Sequence, residues 1–351
     1  MSKINIILLV ALVVQVGILA TRDDGSSTAE TSLKETGVAG RQPFAELKSE
    51  AVKEILLSGS DKKIHAVSKT TKNGDTTTTS WVLADRDDHP AKSGEAEKVI
   101  DTLRRAKFSR VLSRQAKRHA GLGVAESNAS IRCTLKGEDG KILADVFLGE
   151  SRQANATHFR MTGDDAVYAA ADVNTWSFPT DASAWVETNW LDVPTDQVVK
   201  VRLTHEGRVI ELVKDAPASM PASAPAETPP TTWTVKEGGD GHAVDPTKVE
   251  AWIRGLGQLT MSDPVSKTRK AEHGFEKPTA TATLVTADGK ETVILVGAER
   301  KPQGDYHATA TGRDYIVTLR SWTVNDNFKK KFEDLEPTSD GGGHEGHNHK
   351  D

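Results

Sequence analysis

The sequence predicts an α+β chain: two repeated modules, each a mostly antiparallel sheet with a packed helix, preceded by one N-terminal transmembrane helix. Three observations predict it. Short runs alternate apolar and polar residues on either side of Gly-containing turns, the pattern of half-buried antiparallel hairpins. One stretch per module carries apolar residues at helical spacing behind a capping residue. The same order of marks then occurs twice, about 150 residues apart. No strand–helix–strand ladder and no Gly-rich phosphate loop interrupts that order, which excludes a doubly wound parallel sheet.

The apolar run Ile4 to Ala20 opens the chain and carries no charge. Lys3 precedes it, and Asp23 and Asp24 follow close behind Arg22. That asymmetry favours a cytoplasmic N-terminus and an exported body. Residues 1–22 are read as an uncleaved signal-anchor. The alternative is a cleavable signal peptide ending at Ala20, for which Ile18 is not the small residue a cleavage site prefers. Either way the rest of the chain is exported. Residues 23–42 are polar and read as a flexible tether.

The repeat is visible in pairs. Trp81-Val82-Leu83 returns as Trp233-Thr234-Val235, and Arg118-His119-Ala120-Gly121-Leu122 as Ala271-Glu272-His273-Gly274-Phe275. Asp139-Gly140-Lys141 returns as Asp288-Gly289-Lys290, Leu148-Gly149 as Val296-Gly297, and His158-Phe159-Arg160 as Asp305-Tyr306-His307. Trp176 pairs with Trp322. Any one match is cheap; the common order is not. The copies are read as residues 43–186 and 187–337.

In the second copy, Val199, Val201 and Leu203 alternate, His205–Arg208 turns the chain, and Val209–Val213 returns. Residues 215–230 are a Pro/Ala/Ser-rich loop that cannot join a sheet. Asp245-Pro246 places an N-cap before a proline at the first helical position. Val249, Trp252, Ile253, Leu256 and Leu259 then form one apolar stripe. Strands follow at Ala280–Leu284, Thr292–Val296, Tyr306–Thr311 and Tyr315–Leu319. The first copy repeats this: strands at Lys62–Ser68 and Ser80–Ala84 around a Thr-rich loop Lys69–Thr79, then a helix capped by Ser93 with Ala96, Val99, Ile100, Leu103 and Ala106 inward. Strands at Ser130–Leu135, Ile142–Leu148, Phe159–Thr162 and Ala166–Ala170 complete it.

Taken together, these pieces resemble the domain-of-unknown-function 4340 family. The resemblance rests on Trp233, the Val249–Leu259 stripe, His273-Gly274-Phe275, Asp288-Gly289-Lys290, Val296-Gly297, Tyr306 and Tyr315-Ile316, with the matching marks of the first copy. It covers Pro43 to Pro337. It implies a bacterial protein anchored in the inner membrane by a single pass, its body facing the periplasm, that accompanies ABC-type export systems of the gliding-motility or auxiliary kind. Permease and ATPase subunits are the implied partners. No catalytic residue set comes with the family.

Composition narrows the remaining classes. At 36% hydrophobic residues the chain is not a polytopic membrane protein, and a net charge of −5 argues against a nucleic-acid partner. A single cysteine, Cys133, excludes an internal disulfide and a cysteine zinc site, and reads as a buried strand residue. There is no G-x-S-x-G, no H-E-x-x-H and no P-loop, so no catalytic residue and no cofactor are assigned. Asp305-Tyr306-His307 looks reactive alone, but its first-copy counterpart keeps only the aromatic. The turn residues His119 and His273 read as structural, with a paired ligand or interface role as the alternative. Gly121 and Gly274 are expected at positive φ. The basic stretch Arg104 to Arg118 reads as a solvated face, with a partner-facing or anionic-surface patch as the alternative, and the run Lys329–Lys331 reads as a solvated helix face.

Residues 338–351 read as a disordered tail. Its His344, His347 and His349 form a candidate site for zinc, copper or nickel. The expected function is thus a non-catalytic accessory or scaffold protein for an ABC-type complex. An envelope-polymer-acting enzyme with a site between the repeats, and a metal- or ligand-binding periplasmic module, are the alternatives.

Overall fold

Alternation of apolar residues decides which face of each strand is buried, and in this chain it does so in two large sheets, beside a two-stranded one. The computed structural model describes residues 38–73, 76–150, 156–215 and 232–338. The chain divides into two compact units, residues 1–63 with 96–180 and residues 64–95 with 181–351. Most of the described structure is antiparallel sheet, with few helices. The expected N-terminal helix, the Pro/Ala-rich loop from residue 216 and the histidine tail lie outside the described residues. No described helix is long and apolar enough to cross a membrane.

In the first unit, strands Glu54–Ser58, Ile131–Lys136, Ile142–Gly149, Thr157–Met161, Val167–Ala171 and Lys107–Ser113 lie side by side in that order. Each pair is antiparallel. Ile55, Leu57, Cys133, Leu135, Val146 and Leu148 are buried, following the period of two. The helix Glu95–Arg105 buries Ala96, Val99, Ile100 and Leu103. Phe108 stacks on Tyr168 at 4.0 Å between ring centroids and meets Phe159 edge-on at 5.3 Å. Such ring pairs add to the burial of their area.

In the second unit, Trp233–Glu237, Arg208–Lys214, Val198–His205, Ala280–Thr286, Glu291–Arg300, Asp305–Ala310, Ile316–Leu319 and Asp263–Ser266 form one eight-stranded sheet in that order. Its pairings are likewise antiparallel. Asp245 caps the helix Pro246–Gly257 as expected, its Oδ1 accepting from the Thr247 amide at 2.8 Å. Trp252 on that helix donates from Nε1 to the Asn327 carbonyl at 2.8 Å, tying it to the helix Ser321–Phe328. The last six strands of this order repeat the six of the first unit one for one, so the tandem repeat in sequence is a repeat in topology.

Two departures from expectation matter. The Thr-rich segment is not a loop: Lys63–Asn73 and Thr76–Leu83 form one long hairpin, paired from Ala66–Leu83 out to Asn73–Thr76. β-branched threonine suits an extended ribbon better than a loop. The strands Lys107–Ser113 and Asp263–Ser266, each at the end of its sheet, were not expected. Both shift register, and polar or basic residues hide their alternation.

The hairpin groups with the second unit, and the segment that follows it, 84–90, makes the contacts. Arg86, in the turn Ala84–Arg86, donates from Nε to Asp263 Oδ1 at 2.8 Å, and Arg300 donates to Asp263 Oδ2 at 3.2 Å. Asp87 accepts from the Lys267 amide at 2.8 Å. The Tyr315 hydroxyl donates to the Asp88 carbonyl at 3.1 Å, and His89 meets the Tyr315 ring edge-on at 4.6 Å.

Candidate functional site

The marks that repeat in sequence meet in space, once per copy. In the first copy the turn Ala116–Arg118 leads into His119, which is buried and donates from Nε2 to the Asp165 carbonyl at 2.9 Å. The turn that follows lies directly on strand residue Gly149, where a Cβ would stand 2.5 Å from the Leu122 carbonyl and 2.7 Å from that of Gly123. Across the strand pair from Gly149 is His158, whose Nδ1 donates to the Leu122 carbonyl at 2.8 Å.

The second copy rebuilds this. Its turn Ala271–His273 ends on Gly274 at φ 74°. A Cβ on Gly297 would overlap the His273 carbonyl, and one on Gly274 would stand 2.7 Å from the Ala298 amide. The strand register jumps from Val296–Ala308 to Glu299–Tyr306, leaving Gly297 and Ala298 opposite His307 in a bulge. His158 and His307 are therefore the equivalent pair, two residues along from the pairing that sequence suggested. A shift of two keeps each side chain on its face, so sequence patterning is blind to it. Of the expected positive-φ glycines, Gly274 has that conformation; in the first copy it belongs to Gly123, at φ 66°, and not to Gly121.

His273 and His307 pack with ring centroids 4.8 Å apart. The Lys270 amide donates to His273 Nδ1 at 3.2 Å, so the neutral ring carries its proton on Nε2. Burial lowers the pKa of both, and His273 lowers that of His307 further. Two neutral imidazoles without a third ligand make a packing element. Among the described residues no group of three or more His, Cys, Asp or Glu is placed to hold a metal ion.

The outer faces of the two copies differ. In the first, Val124, Phe147 and Val167 form a buried apolar cluster with Leu112, Leu122 and Ala129 against it. Arg160 caps it, its guanidinium 4.2 Å from the centre of the Phe147 ring and its Nε donating to the Val124 carbonyl at 2.8 Å. Arg132 donates to Asp145 at 3.0 and 2.8 Å. Burial works to raise the Asp145 pKa, but Arg132, Thr134 and Thr162 outweigh it and hold the carboxyl below its ordinary value.

In the second copy the same face holds an open pocket of about 360 Å³. Val293, Leu295, Thr309 and Ile316 line it from the strands, and Lys267, Arg269, Arg313 and Asp314 from the loops. Lys267 and Arg269 lie 4.9 and 5.6 Å over the rings of Tyr315 and Phe275.

The family described as "Domain of unknown function (DUF4340)" matches the chain twice, over residues 81–235 and 233–338. The chain belongs to this family. No curated protein matches it. Each DUF4340 match opens on a repeated tryptophan, Trp81 or Trp233, and both contain the turn, glycine and histidine marks just described. What the DUF4340 motifs encode here is a contact: a turn seated on a strand glycine with a histidine across from it.

The other sequence candidates fall elsewhere. His344, His347 and His349 lie outside the described residues. Cys133 is fully buried, and burial raises its thiol pKa. Lys329 donates to the Tyr306 hydroxyl at 3.0 Å, so the first lysine of its run is engaged. Arg105 and Lys107, from the basic stretch, line a depression of about 710 Å³ with Gln42, Asp172 and Asn174. Sequence reading missed the cationic pocket, because its residues come from three separate segments.

Proposed function

We propose that the chain is a non-catalytic accessory or scaffold protein, held in the inner membrane by a single transmembrane helix at Ile4–Ala20, its two α+β modules on the periplasmic side. We propose further that it docks on permease or ATPase subunits of an ABC-type transport complex. The observation that carries the interaction reading is one exposed tryptophan after the last meander strand of each copy. Trp176, in the turn Thr175–Ser177, is 87% exposed; Trp322, at the start of the helix Ser321–Phe328, is 59% exposed. Each follows the strand that carries the Val167 or Ile316 position. Tryptophan is enriched among the residues that dominate binding energy at interfaces. Two such anchors on one chain bind with a high effective concentration for the second contact. The transport partner is inferred from the family resemblance, and the orientation from the charges around Ile4–Ala20.

Cross-linking and affinity capture of the full-length protein from membranes tests this. Recovery of permease and ATPase subunits, reduced by Trp176→Ala together with Trp322→Ala, is the expected result. Recovery of the protein alone, with unchanged transport on deletion, overturns it. Protease digestion tests the location: the body is cleaved in spheroplasts and protected in intact cells.

A further inference from the structure

The described chain leaves the second unit at a pinned exit. The Asp245 amide donates to the Leu335 carbonyl at 2.8 Å, and Lys248 Nζ donates to the Glu336 carbonyl at 2.6 Å. The Glu336 carboxylate accepts from His242 Nδ1. The described residues end at Thr338, and the sequence beyond carries His344, His347 and His349.

His242 is both held and exposed. Its loop takes positive φ at Gly238, Asp240 and Gly241. Gly239 lies so close to the Phe332 ring that a Cβ would stand 2.6 Å from its Cζ, which fixes the loop against the turn Phe332–Leu335. The His242 amide donates to the Gly239 carbonyl at 2.7 Å. The His242 side chain is 65% exposed and, with Asp240, lines an open depression. A carboxylate only accepts, so the Nδ1 proton is committed to Glu336 and the neutral ring keeps its lone pair on Nε2. A carboxylate behind one ring nitrogen is the arrangement that orients a histidine toward a metal on the other.

We propose that His242 and the tail histidines His344, His347 and His349 bind one zinc(II) ion, with Glu336 orienting His242. Zinc takes four donors, and imidazole nitrogen is among its usual ligands. The second unit supplies one donor with its orienting carboxylate, and the tail supplies three. His344 follows Glu336 by eight residues, a reach of up to about 28 Å, so the covalent chain allows the closure. Because the exit is pinned beside His242, the loop to be closed is short and its entropic cost small. Asp240 adds negative charge to the depression, and Lys236 on its rim opposes it. The metal ties the tail back onto the second unit, whether or not the chain serves a transport complex.

The test is calorimetric titration of zinc chloride into the metal-free full-length protein in detergent. One zinc per chain is expected. His242→Ala weakens binding about tenfold or more, and so does replacement of the three tail histidines by alanine. Glu336→Ala weakens it about tenfold, the loss that follows removal of a carboxylate behind a ligand histidine. As a second readout, zinc shifts the imidazole nitrogen resonances of His242, and the shift disappears in the tail variant. Binding by His242→Ala as tight as that of the unsubstituted protein overturns the proposal and marks a tail that holds metal by itself. Binding unchanged by the tail replacement also overturns it, as does the absence of saturable binding below about 100 μM. One zinc per two chains, with a zinc-dependent dimer in sedimentation, marks a bridge between chains and overturns closure within one.

Discussion

The carbonyl of Leu122 lies where a side chain on Gly149 would have to stand, and the second copy repeats the relationship between His273 and Gly297. A methyl group at either glycine meets backbone oxygen, which cannot rotate away. Gly149→Ala and Gly297→Ala are each expected to cost about 2–3 kcal/mol, the range for overpacking a closed contact. Gly121 sits in the same first-copy turn, but its Cβ would find only the Arg118 carbonyl at 3.8 Å, an ordinary contact. Gly121→Ala is expected to change stability by less than about 0.5 kcal/mol. Urea unfolding midpoints at constant slope separate the three.

Asp263 accepts from Arg86 and Arg300, and through Arg86 it holds the turn Ala84–Arg86, which follows the hairpin, against the sheet edge. Burial acts to lower the Arg86 pKa, yet the Asp263 and Asp85 carboxylates outweigh it and raise it. Asp263→Ala leaves two partly buried guanidinium groups facing a gap, at a cost of about 2 kcal/mol. A double-mutant cycle with Arg86→Ala is expected to return a coupling of about 1 kcal/mol. Trypsin cleavage at Arg86 speeds up in the Asp263 variant. A coupling near zero would show that the hairpin is held by Tyr315 and His89 instead.

Strong periodicity made much of this fold legible. The stripe Val249, Trp252, Ile253, Leu256 with its Asp245-Pro246 start, and the alternation of Ala280, Ala282, Leu284, left little choice of secondary structure. The repeat was legible for the same reason: marks such as Leu148-Gly149 and Val296-Gly297 are backbone requirements, and few residues meet them. The edge strand Lys107–Ser113 was not legible, because register shifts break its alternation. The equivalence of His158 with His307 needed the bulge at Gly297. The pocket was hidden for a different reason. Its residues come from three stretches far apart in sequence, which only the sheet brings together.

Cys133 is fully buried on a strand between Ile131 and Leu135, and burial, with the Asp145 charge, raises its thiol pKa. The thiolate is the reactive species, and here it is both suppressed and shielded. The native protein is expected to show no reaction with Ellman's reagent at neutral pH, and one thiol per chain once unfolded in guanidinium. Labelling in mild denaturant then reports opening of the first unit's sheet, and its rate follows the opening equilibrium. Rapid labelling of the native protein would show that the strand pair Leu57–Cys133 opens far below the global unfolding energy.

Acid is expected to destabilise the protein through His273 and His307. Burial lowers both pKa values from the ordinary 6.5; His273 and Arg300 lower that of His307 further, while Glu272 acts against the shift at both. A histidine whose folded pKa is depressed is more readily protonated in the unfolded chain. Its contribution is therefore complete above the unfolded value and is lost as the pH falls from 6.5 through the depressed folded value. Each histidine adds a slope of up to about 1.4 kcal/mol per pH unit within that window. His89, also lowered by burial, titrates in the same direction. The Asp145 carboxylate behaves as an acid with a depressed value, so its loss comes lower, below its ordinary 3.8. Unfolding free energy measured between pH 7.5 and 4.5 is expected to fall with acidification. His307→Gln removes one titrating group, the one whose pKa His273 lowers further, and so flattens that fall. A profile unchanged by His307→Gln would mean that the two rings are not coupled and that the acid sensitivity arises elsewhere.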